Sequence, residues 1–179
     1  MPVLREVERL PRTLEDAAAR RVAADLLSRR PWTCAELTAR LRRRGAPEAV
    51  AAAVVADLTA RGHLDDARFA RQWVEARSSR GYGPARLAAE LRVRGVAAPA
   101  VTAALAVLDP GSTLARARAA AERRLPALRS RRDPRAPGRL RDHLLRRGFD
   151  AATAARVVRE LLHVEGDAII EDGGAESDR

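Results

Sequence analysis

Arginine is the residue type of this chain whose spacing could do chemistry, and that chemistry is the binding of phosphate. Arginines cluster immediately before three glycines, Gly45, Gly95 and Gly148. The clusters are Arg42, Arg43 and Arg44, then Arg92 and Arg94, then Arg146 and Arg147. A guanidinium group can bind one phosphate through two parallel hydrogen bonds. Positive clusters that recur along a chain therefore indicate a phosphate backbone as the ligand.

Three further arginines complete the set that we expect to contact nucleic acid or a partner: Arg77, Arg80 and Arg86. They flank Tyr82, which lies between two glycines and is the best candidate for an exposed aromatic side chain. Taken singly, each arginine is explained as a solvated side chain, and those in the last turn of a helix also interact with its dipole. It is the recurrence of whole clusters that predicts a nucleic-acid surface.

The charge of the chain is large and unevenly distributed. The 179 residues carry a formal net charge of +10, and all 34 basic residues are arginine. A coding bias of the source genome explains the absence of lysine, but the resulting surface suits phosphate whatever its origin. Residues 165–179 carry six acidic side chains against Arg179, so this tail is −5 and residues 1–164 are +15. We hypothesise that the tail screens the basic surface of its own chain.

The sequence lacks the residue patterns of enzymes, metal sites and nucleotide sites. His63, His143 and His163 are far apart, and no Cys-x-x-Cys or His-x-x-x-His pair occurs. There is also no glycine-rich loop of the kind that cradles a nucleotide phosphate. His63 precedes Asp65 and Asp66, but these aspartates are explained as helix caps. We therefore expect a protein that is not an enzyme and that binds neither a metal nor a cofactor.

The composition also predicts a cytoplasmic protein. Cys34 is the only cysteine, so no disulfide can form within the chain. No run of 18 or more uncharged apolar residues occurs, and charged residues are spread over the first twenty positions. We therefore expect neither a membrane span nor a signal peptide.

One pattern, Leu-x-x-x-Leu-x-x-Arg-Gly, occurs three times and indicates a tandem repeat. Its leucines are Leu37 and Leu41, Leu87 and Leu91, and Leu140 and Leu144. The glycines that end the pattern are 50 and then 53 residues apart. A period of this size means one supersecondary unit copied along the chain, and the abundant alanine and leucine favour helices. We predict an all-α fold of three tandem three-helix repeats that form an elongated, curved helical array.

The predicted boundaries follow from the periodicity of the apolar residues. The three helical repeats span residues 14–62, 63–110 and 111–164. Residues 1–13 are predicted to be a flexible lead-in, and residues 165–179 an acidic, disordered tail.

Local signals predict where individual helices begin and end. Thr33 and Glu36 form a Thr-x-x-Glu capping box, and either Asp65 or Asp66 can cap the first helix of the second repeat. The prolines predicted at helix starts are Pro47, Pro84 and Pro99. Each middle helix should end at the glycine of the repeated pattern, in a left-handed backbone conformation.

Three stretches of the sequence carry motifs at a characteristic separation. They are Thr33-x-x-Glu36-Leu37-x-x-x-Leu41-x-x-x-Gly45, Leu64-Asp65-Asp66-x-x-Phe69-Ala70 and Gly83-x-x-x-Leu87-x-x-Glu90-Leu91-x-x-x-Gly95-Val96. Together they resemble the RecX family of bacterial recombinase regulators, and the resemblance spans about residues 14–162. Two departures are Ala67, where family members often carry an acidic residue, and a proline-rich loop in the third repeat.

The resemblance implies a non-enzymatic modulator of the recombinase RecA that lies along the groove of the RecA filament on single-stranded DNA. Members typically inhibit the ATP hydrolysis and strand exchange of the filament. The resemblance leaves double-stranded DNA open as a second ligand, and we expect a monomer. The motif positions look structural: Leu37, Leu41, Gly45, Leu64, Asp65, Phe69, Ala70, Leu87, Leu91 and Gly95.

Two alternatives to a filament-directed regulator stay open from the sequence. One is a helical repeat protein that binds nucleic acid without a dedicated protein target. The other is a helical scaffold that binds only proteins. The salt dependence of single-strand binding separates these two alternatives, because phosphate contacts weaken steeply as the salt concentration rises.

Overall fold

The computed structural model describes residues 15–129 and 134–162, which form nine α-helices and no strand. The first three helices are α1 (Asp16–Arg29), α2 (Cys34–Arg43) and α3 (Glu48–Ala60). They are followed by α4 (Asp66–Ser78), α5 (Pro84–Val93) and α6 (Ala98–Leu105). The last three are α7 (Pro110–Arg129), α8 (Ala136–Arg146) and α9 (Ala151–Leu162). The predicted all-α fold class is therefore confirmed, with three helices for each copy of the leucine pattern.

The predicted lead-in at residues 1–13 and the predicted acidic tail at residues 165–179 lie outside the described residues. Among the helices of the described part, none is both long enough and apolar enough to cross a membrane.

The leucines of the repeated pattern form the centre of each three-helix group. All six are fully buried: Leu37, Leu41, Leu87, Leu91, Leu140 and Leu144. Their four-residue spacing places both leucines of a pair on one face of the middle helix. Burial of one leucine side chain contributes about 1.5–3 kcal/mol, so these pairs are a major source of stability for such small helical groups.

The glycines of the pattern end the middle helices as predicted. Gly45, Gly95 and Gly148 have φ angles of 93°, 77° and 88°. In the first copy the N–H of Ala46 donates to the carbonyl of Leu41, which closes the end of α2. Phe149 and Leu144 form the same bond at the end of α8. A residue with a side chain is strained in this conformation, which explains glycine at these positions.

The described chain divides into two compact units. Unit 1 runs to Phe69 and also includes Arg94–Ala97. Unit 2 comprises Ala70–Val93 and the described chain from Ala98 onward.

In unit 1, the turn after α5 packs on the start of α2. The hydroxyl of Thr33 donates to the carbonyl of Arg94 at 2.6 Å. A side chain at Gly95 would overlap the side chain of Ala35. The absence of a Cβ at Gly95 therefore permits this close approach, in addition to the left-handed conformation that glycine allows.

Unit 2 contains the same kind of junction between the second and third leucine patterns. The N–H of Gly83 donates to the carbonyl of Arg147 at 2.7 Å, and the N–H of Ala85 donates to the carbonyl of Gly148 at 3.1 Å. A Cβ on Gly83 would overlap the backbone of Gly148. Two glycines thus bring the turn after α8 into direct contact with the start of α5.

The predicted helix caps are correct in part. The hydroxyl of Thr33 accepts a hydrogen bond from the N–H of Glu36 at 3.1 Å, which is one half of the predicted capping box. The second half is not formed, because the carboxylate of Glu36 pairs with Arg30 and Arg94. A full positive charge on each partner makes these bonds stronger than a bond to a neutral backbone N–H.

The open choice between two aspartates is resolved by the structure. Asp65 caps α4, since its carboxylate accepts from the N–H of Arg68 at 2.8 Å. Asp66 instead accepts from the N–H of Cys34 at 2.9 Å and so satisfies a donor in the first turn of α2.

Candidate nucleic-acid interface

The ten predicted arginines fall into both units. Four lie in unit 1: Arg42, Arg43, Arg44 and Arg94. Six lie in unit 2: Arg77, Arg80, Arg86, Arg92, Arg146 and Arg147. Their surroundings differ so strongly that the repeated sequence pattern does not correspond to a repeated environment.

The first cluster lies at the end of α2 and is exposed to solvent. The side chains of Arg42, Arg43 and Arg44 are all exposed. Arg42 forms an ion pair of 3.6 Å with Glu48, and both of these side chains are largely exposed. Because an exposed ion pair of this kind contributes little to stability, all three arginines are available to a ligand.

Arg94 holds the corresponding place in the second pattern but is half-buried. Its guanidinium pairs with the carboxylate of Glu36. It also lies over the ring of Phe69, 5.9 Å from the ring centre. Arg94 is therefore engaged by protein groups within unit 1. Its neighbour Arg92 is exposed on α5.

The structure brings five of the six unit 2 arginines together around the Gly81-Tyr82-Gly83 turn. Three guanidinium groups lie over the ring of Tyr82. Their central carbons are 4.3 Å (Arg77), 4.6 Å (Arg86) and 5.3 Å (Arg147) from the ring centre. Tyr82 itself is half-buried, and its ring holds these arginines in place.

Glu90 on α5 fixes two of these arginines. Its carboxylate accepts from Arg77 at 2.6 Å and from Arg86 at 3.0 Å, and the indole N–H of Trp73 donates to it at 3.1 Å. Burial tends to raise the pKa of Glu90, but these hydrogen bonds outweigh burial and hold the pKa below its ordinary value. The carboxylate therefore stays charged and keeps the two guanidinium groups in position.

Arg147 connects α8 with the turn after α4. Its Nη1 donates to the carbonyls of Arg80 at 3.0 Å and Gly81 at 3.2 Å. Its Nε donates to Nε2 of His143 at 3.1 Å. Burial lowers the pKa of His143, and the positive charges of Arg147, Arg124 and Arg146 lower it further. His143 is thus a neutral hydrogen-bond acceptor that is surrounded by positively charged arginines.

Sequence reasoning missed two arginines of this site, Arg123 and Arg124 on α7. A Cβ built on Gly81 would lie 2.7 Å from Nη2 of Arg123, so this guanidinium packs against the glycine. Arg124 lies close enough to His143 to affect its pKa. Neither residue belongs to the repeated pattern, and no local signal places α7 beside a turn about forty residues earlier. The only feature of the sequence that could have indicated a close approach of another segment was the pair of glycines, Gly81 and Gly83, on either side of Tyr82.

The arginines around Tyr82, Gly81 and His143 are named here the Tyr82 cluster: Arg77, Arg80, Arg86, Arg123, Arg124, Arg146 and Arg147. Within the described part of the chain, no carboxylate forms an ion pair with Arg80, Arg123, Arg124, Arg146 or Arg147. The cluster therefore gathers positive charge that protein carboxylates leave largely uncompensated. Such a surface can bind an anion with several phosphate groups.

Comparison with known proteins identifies the family of this chain. A family model described as the first three-helix domain of RecX matches residues 19–58, and one described as the second three-helix domain matches residues 65–105. Regulatory protein RecX of Thermobifida fusca (strain YX) is 44% identical over 151 residues, which is 84% of this chain and 82% of that protein. The chain belongs to the RecX family. The family resemblance predicted from its motifs is thereby confirmed.

Other RecX proteins agree with this assignment. Regulatory protein RecX of Mycobacterium avium (strain 104) is 39% identical over 149 residues, covering 82% of this chain and 86% of that protein. The crystal structure of RecX from Lactobacillus salivarius has a TM-score of 0.72 at 19% identity, over 83% of this chain and 97% of that chain. The crystal structure of another regulatory protein RecX has a TM-score of 0.71 at 21% identity, over 83% of this chain and 71% of that chain. At this identity the two structures show a shared fold.

Proposed function

We propose that this RecX protein binds the RecA filament on single-stranded DNA and inhibits its ATP hydrolysis and strand exchange. The basic helical repeats contact both the DNA and RecA. The protein acts in the cytoplasm, as a monomer, and without a cofactor.

The observation that carries the DNA part of this proposal is the convergence of arginines in unit 2. Phosphate contacts by arginine supply most of the affinity of proteins that bind nucleic acid without reading its sequence. The exposed arginines at the end of α2 add a second positive surface in unit 1.

Family membership supports the RecA part of the proposal. The relatives that span most of the chain carry the name regulatory protein RecX. We identify the regulated protein as RecA, as the resemblance of the motifs implies. We infer that the effect on RecA is exerted through binding, as the resemblance to a family of non-enzymatic modulators implies.

The competing function is a nucleic-acid-binding repeat protein without a protein target, and the arginine surface alone is compatible with it. The Tyr82 cluster gives less support to a protein-binding scaffold that does not contact DNA, because five of its seven arginines form no ion pair with a described carboxylate.

Co-sedimentation tests the proposal against both alternatives. RecA filaments are formed on long single-stranded DNA with a slowly hydrolysed ATP analogue, and the RecX protein is added before centrifugation. We expect it to pellet with the filament with higher affinity than with the same DNA lacking RecA. Equal affinity for bare DNA would favour the nucleic-acid-binding alternative, and the absence of binding to the filament would refute the proposal.

A further inference from the structure

We propose that the Tyr82 cluster is a built binding site for consecutive phosphates of a single-stranded DNA backbone, and that it is the principal DNA site of unit 2. The choice of single-stranded DNA rests on the proposed function. The assignment goes beyond that function because it names one site, at one junction, in place of equivalent arginines in every repeat.

Four elements of unit 2 contribute to the site. The end of α4 and the following turn contribute Arg77 and Arg80, and α5 contributes Arg86. The helix α7 contributes Arg123 and Arg124, and the end of α8 with its C-cap contributes Arg146 and Arg147. Arg86 also donates to the carbonyl of Arg146 at 3.3 Å, so α5 and α8 meet directly at the site. These positive groups are adjacent only because the chain folds in this way.

Three arginines of the cluster, Arg77, Arg86 and Arg147, are held in defined positions before any ligand binds. The ring of Tyr82 is contacted by three guanidinium groups, and Glu90 orients two of them. Arg147 is fixed further by two backbone carbonyls and by His143. These fixed guanidinium groups keep positive charge at one place on the surface of unit 2. This fixed positive charge distinguishes the Tyr82 cluster from the exposed arginines at the end of α2.

The site has both a scaffold and open ligands. Arg77, Arg86 and Arg147 bind protein groups and form the scaffold. The side chains of Arg80, Arg123 and Arg146 are exposed, and none of them has a hydrogen bond to a described side chain or backbone group. The structure therefore leaves three exposed guanidinium groups of the cluster open to phosphate.

The flanking glycines explain why this junction can carry the site. Arg123 occupies the space in which a side chain at position 81 would lie, and Gly81 has a φ angle of 79°. Gly83 permits the backbone of Gly148 to approach. The corresponding junction in unit 1 differs, because there Glu36 neutralises Arg94.

Charge-neutral variants test the site. The cluster variant carries Arg80→Gln, Arg123→Gln and Arg146→Gln, which remove three exposed guanidinium groups. The matched control carries Arg21→Gln, Arg71→Gln and Arg159→Gln, three exposed arginines that lie outside the cluster and form no ion pair with a described residue. Both variants lose the same net charge. Circular dichroism and the thermal unfolding midpoint establish that both are folded.

The readout is fluorescence anisotropy of a labelled 20-nucleotide oligothymidylate across a range of salt concentrations. Each phosphate contact to a single strand contributes about 0.7 to the slope of log K against log salt, so the cluster variant should lose about 2 from the slope. We expect its affinity at low salt to fall by roughly tenfold or more, and that of the control by much less. Equal losses in both variants would overturn the site. The same measurements are made with a duplex of the same length. If the wild-type protein bound the duplex as tightly as the single strand, and the cluster variant lost the same affinity for both, the choice of single-stranded DNA would be overturned.

A second pair of variants tests the role of the Tyr82 ring without changing charge. Tyr82→Phe keeps the ring and should keep the affinity. Tyr82→Leu removes the ring that organises three arginines and should weaken binding several-fold while the protein stays folded. Unchanged affinity in folded Tyr82→Leu would refute this role. The wild-type protein could fail to pellet with RecA filaments while the cluster variant still shows the expected loss of affinity for single-stranded DNA. That result would refute the proposed function and leave the DNA site intact.

Discussion

Glu90 illustrates how one residue can maintain a positive surface. It is the carboxylate that three side chains share, and its own side chain is only 20% exposed. Hydrogen bonds to a charged, partly buried group contribute more to stability than bonds between neutral groups. Glu90 therefore acts on DNA binding through the arginines that it positions.

Replacement of this carboxylate should be costly. We expect Glu90→Gln to lower the free energy of unfolding by about 2 kcal/mol, because the amide cannot satisfy Arg77, Arg86 and Trp73 as a carboxylate does. Urea unfolding followed by circular dichroism measures the change. The control is Glu48→Gln, which removes an exposed carboxylate in a long ion pair and should leave the stability unchanged. Equal stability of the two variants would contradict the role assigned to Glu90.

His143 should make stability depend on pH. Its pKa lies below the ordinary value of 6.5 in the folded state, so the unfolded chain takes up a proton at a higher pH than the folded chain does. Stability is therefore greatest above about pH 6.5 and is lost as the pH falls towards the pKa of the folded state. His143→Asn keeps an acceptor for Arg147 but does not titrate, so it should lose less stability between pH 7 and pH 5. His63→Asn, at an exposed position, should behave as the wild type. A wild-type pH profile in His143→Asn would show that His143 is not responsible.

At the scale of elements, the close junction between α5 and the turn after α8 makes Gly83 a critical position. We expect Gly83→Ala to lower the free energy of unfolding by about 3 kcal/mol, because its Cβ would overlap the backbone of Gly148. Gly138→Ala is the control: this glycine lies in α8 with open space around it, and alanine there should be neutral or stabilising by up to about 1 kcal/mol. Urea unfolding checks both, and a neutral Gly83→Ala would mean that the junction is not tightly packed.

The local architecture was predictable from the sequence because its signals are local. A four-residue spacing of leucines specifies the buried face of a helix, and all six pattern leucines are buried. Glycine after the last helical residue specifies a left-handed end, and Gly45, Gly95 and Gly148 adopt it. The choice between Asp65 and Asp66 needed the structure, since both residues can cap and only the fold brings Asp66 to the backbone of Cys34.

The composition of the candidate site was predictable only in part. Local reasoning found Arg146 and Arg147, but it treated Arg44, Arg94 and Arg147 as equivalent. Arg94 contacts the carboxylate of Glu36 and Arg147 contacts the backbone carbonyls of Arg80 and Gly81, and these partners are about sixty residues away in the sequence. No spacing rule identifies contacts over that distance. For the same reason α7 did not appear among the predicted binding elements.

At the scale of the whole molecule, charge segregation predicts an intramolecular effect of the tail. Removal of residues 165–179 deletes a net charge of −5 and leaves residues 1–164, which carry +15. We expect this truncation to raise the affinity for single-stranded DNA at low salt, and the difference to disappear at high salt, where charges are screened. Anisotropy titrations with the labelled oligothymidylate measure both effects. A tail of full length with its carboxylates neutralised should match the truncation, and unchanged affinity at low salt would refute the screening hypothesis.

The central claim is that this RecX protein regulates RecA by binding its filament. The most direct test is the rate of ATP hydrolysis by RecA on single-stranded DNA, measured while the RecX protein is titrated in at moderate salt. The account predicts that the rate of ATP hydrolysis already falls when far fewer RecX molecules than RecA molecules are present. It also predicts that the cluster variant must be added at a higher concentration than the matched control to reduce the rate by the same amount. An unchanged rate of ATP hydrolysis at saturating wild-type protein would contradict the account.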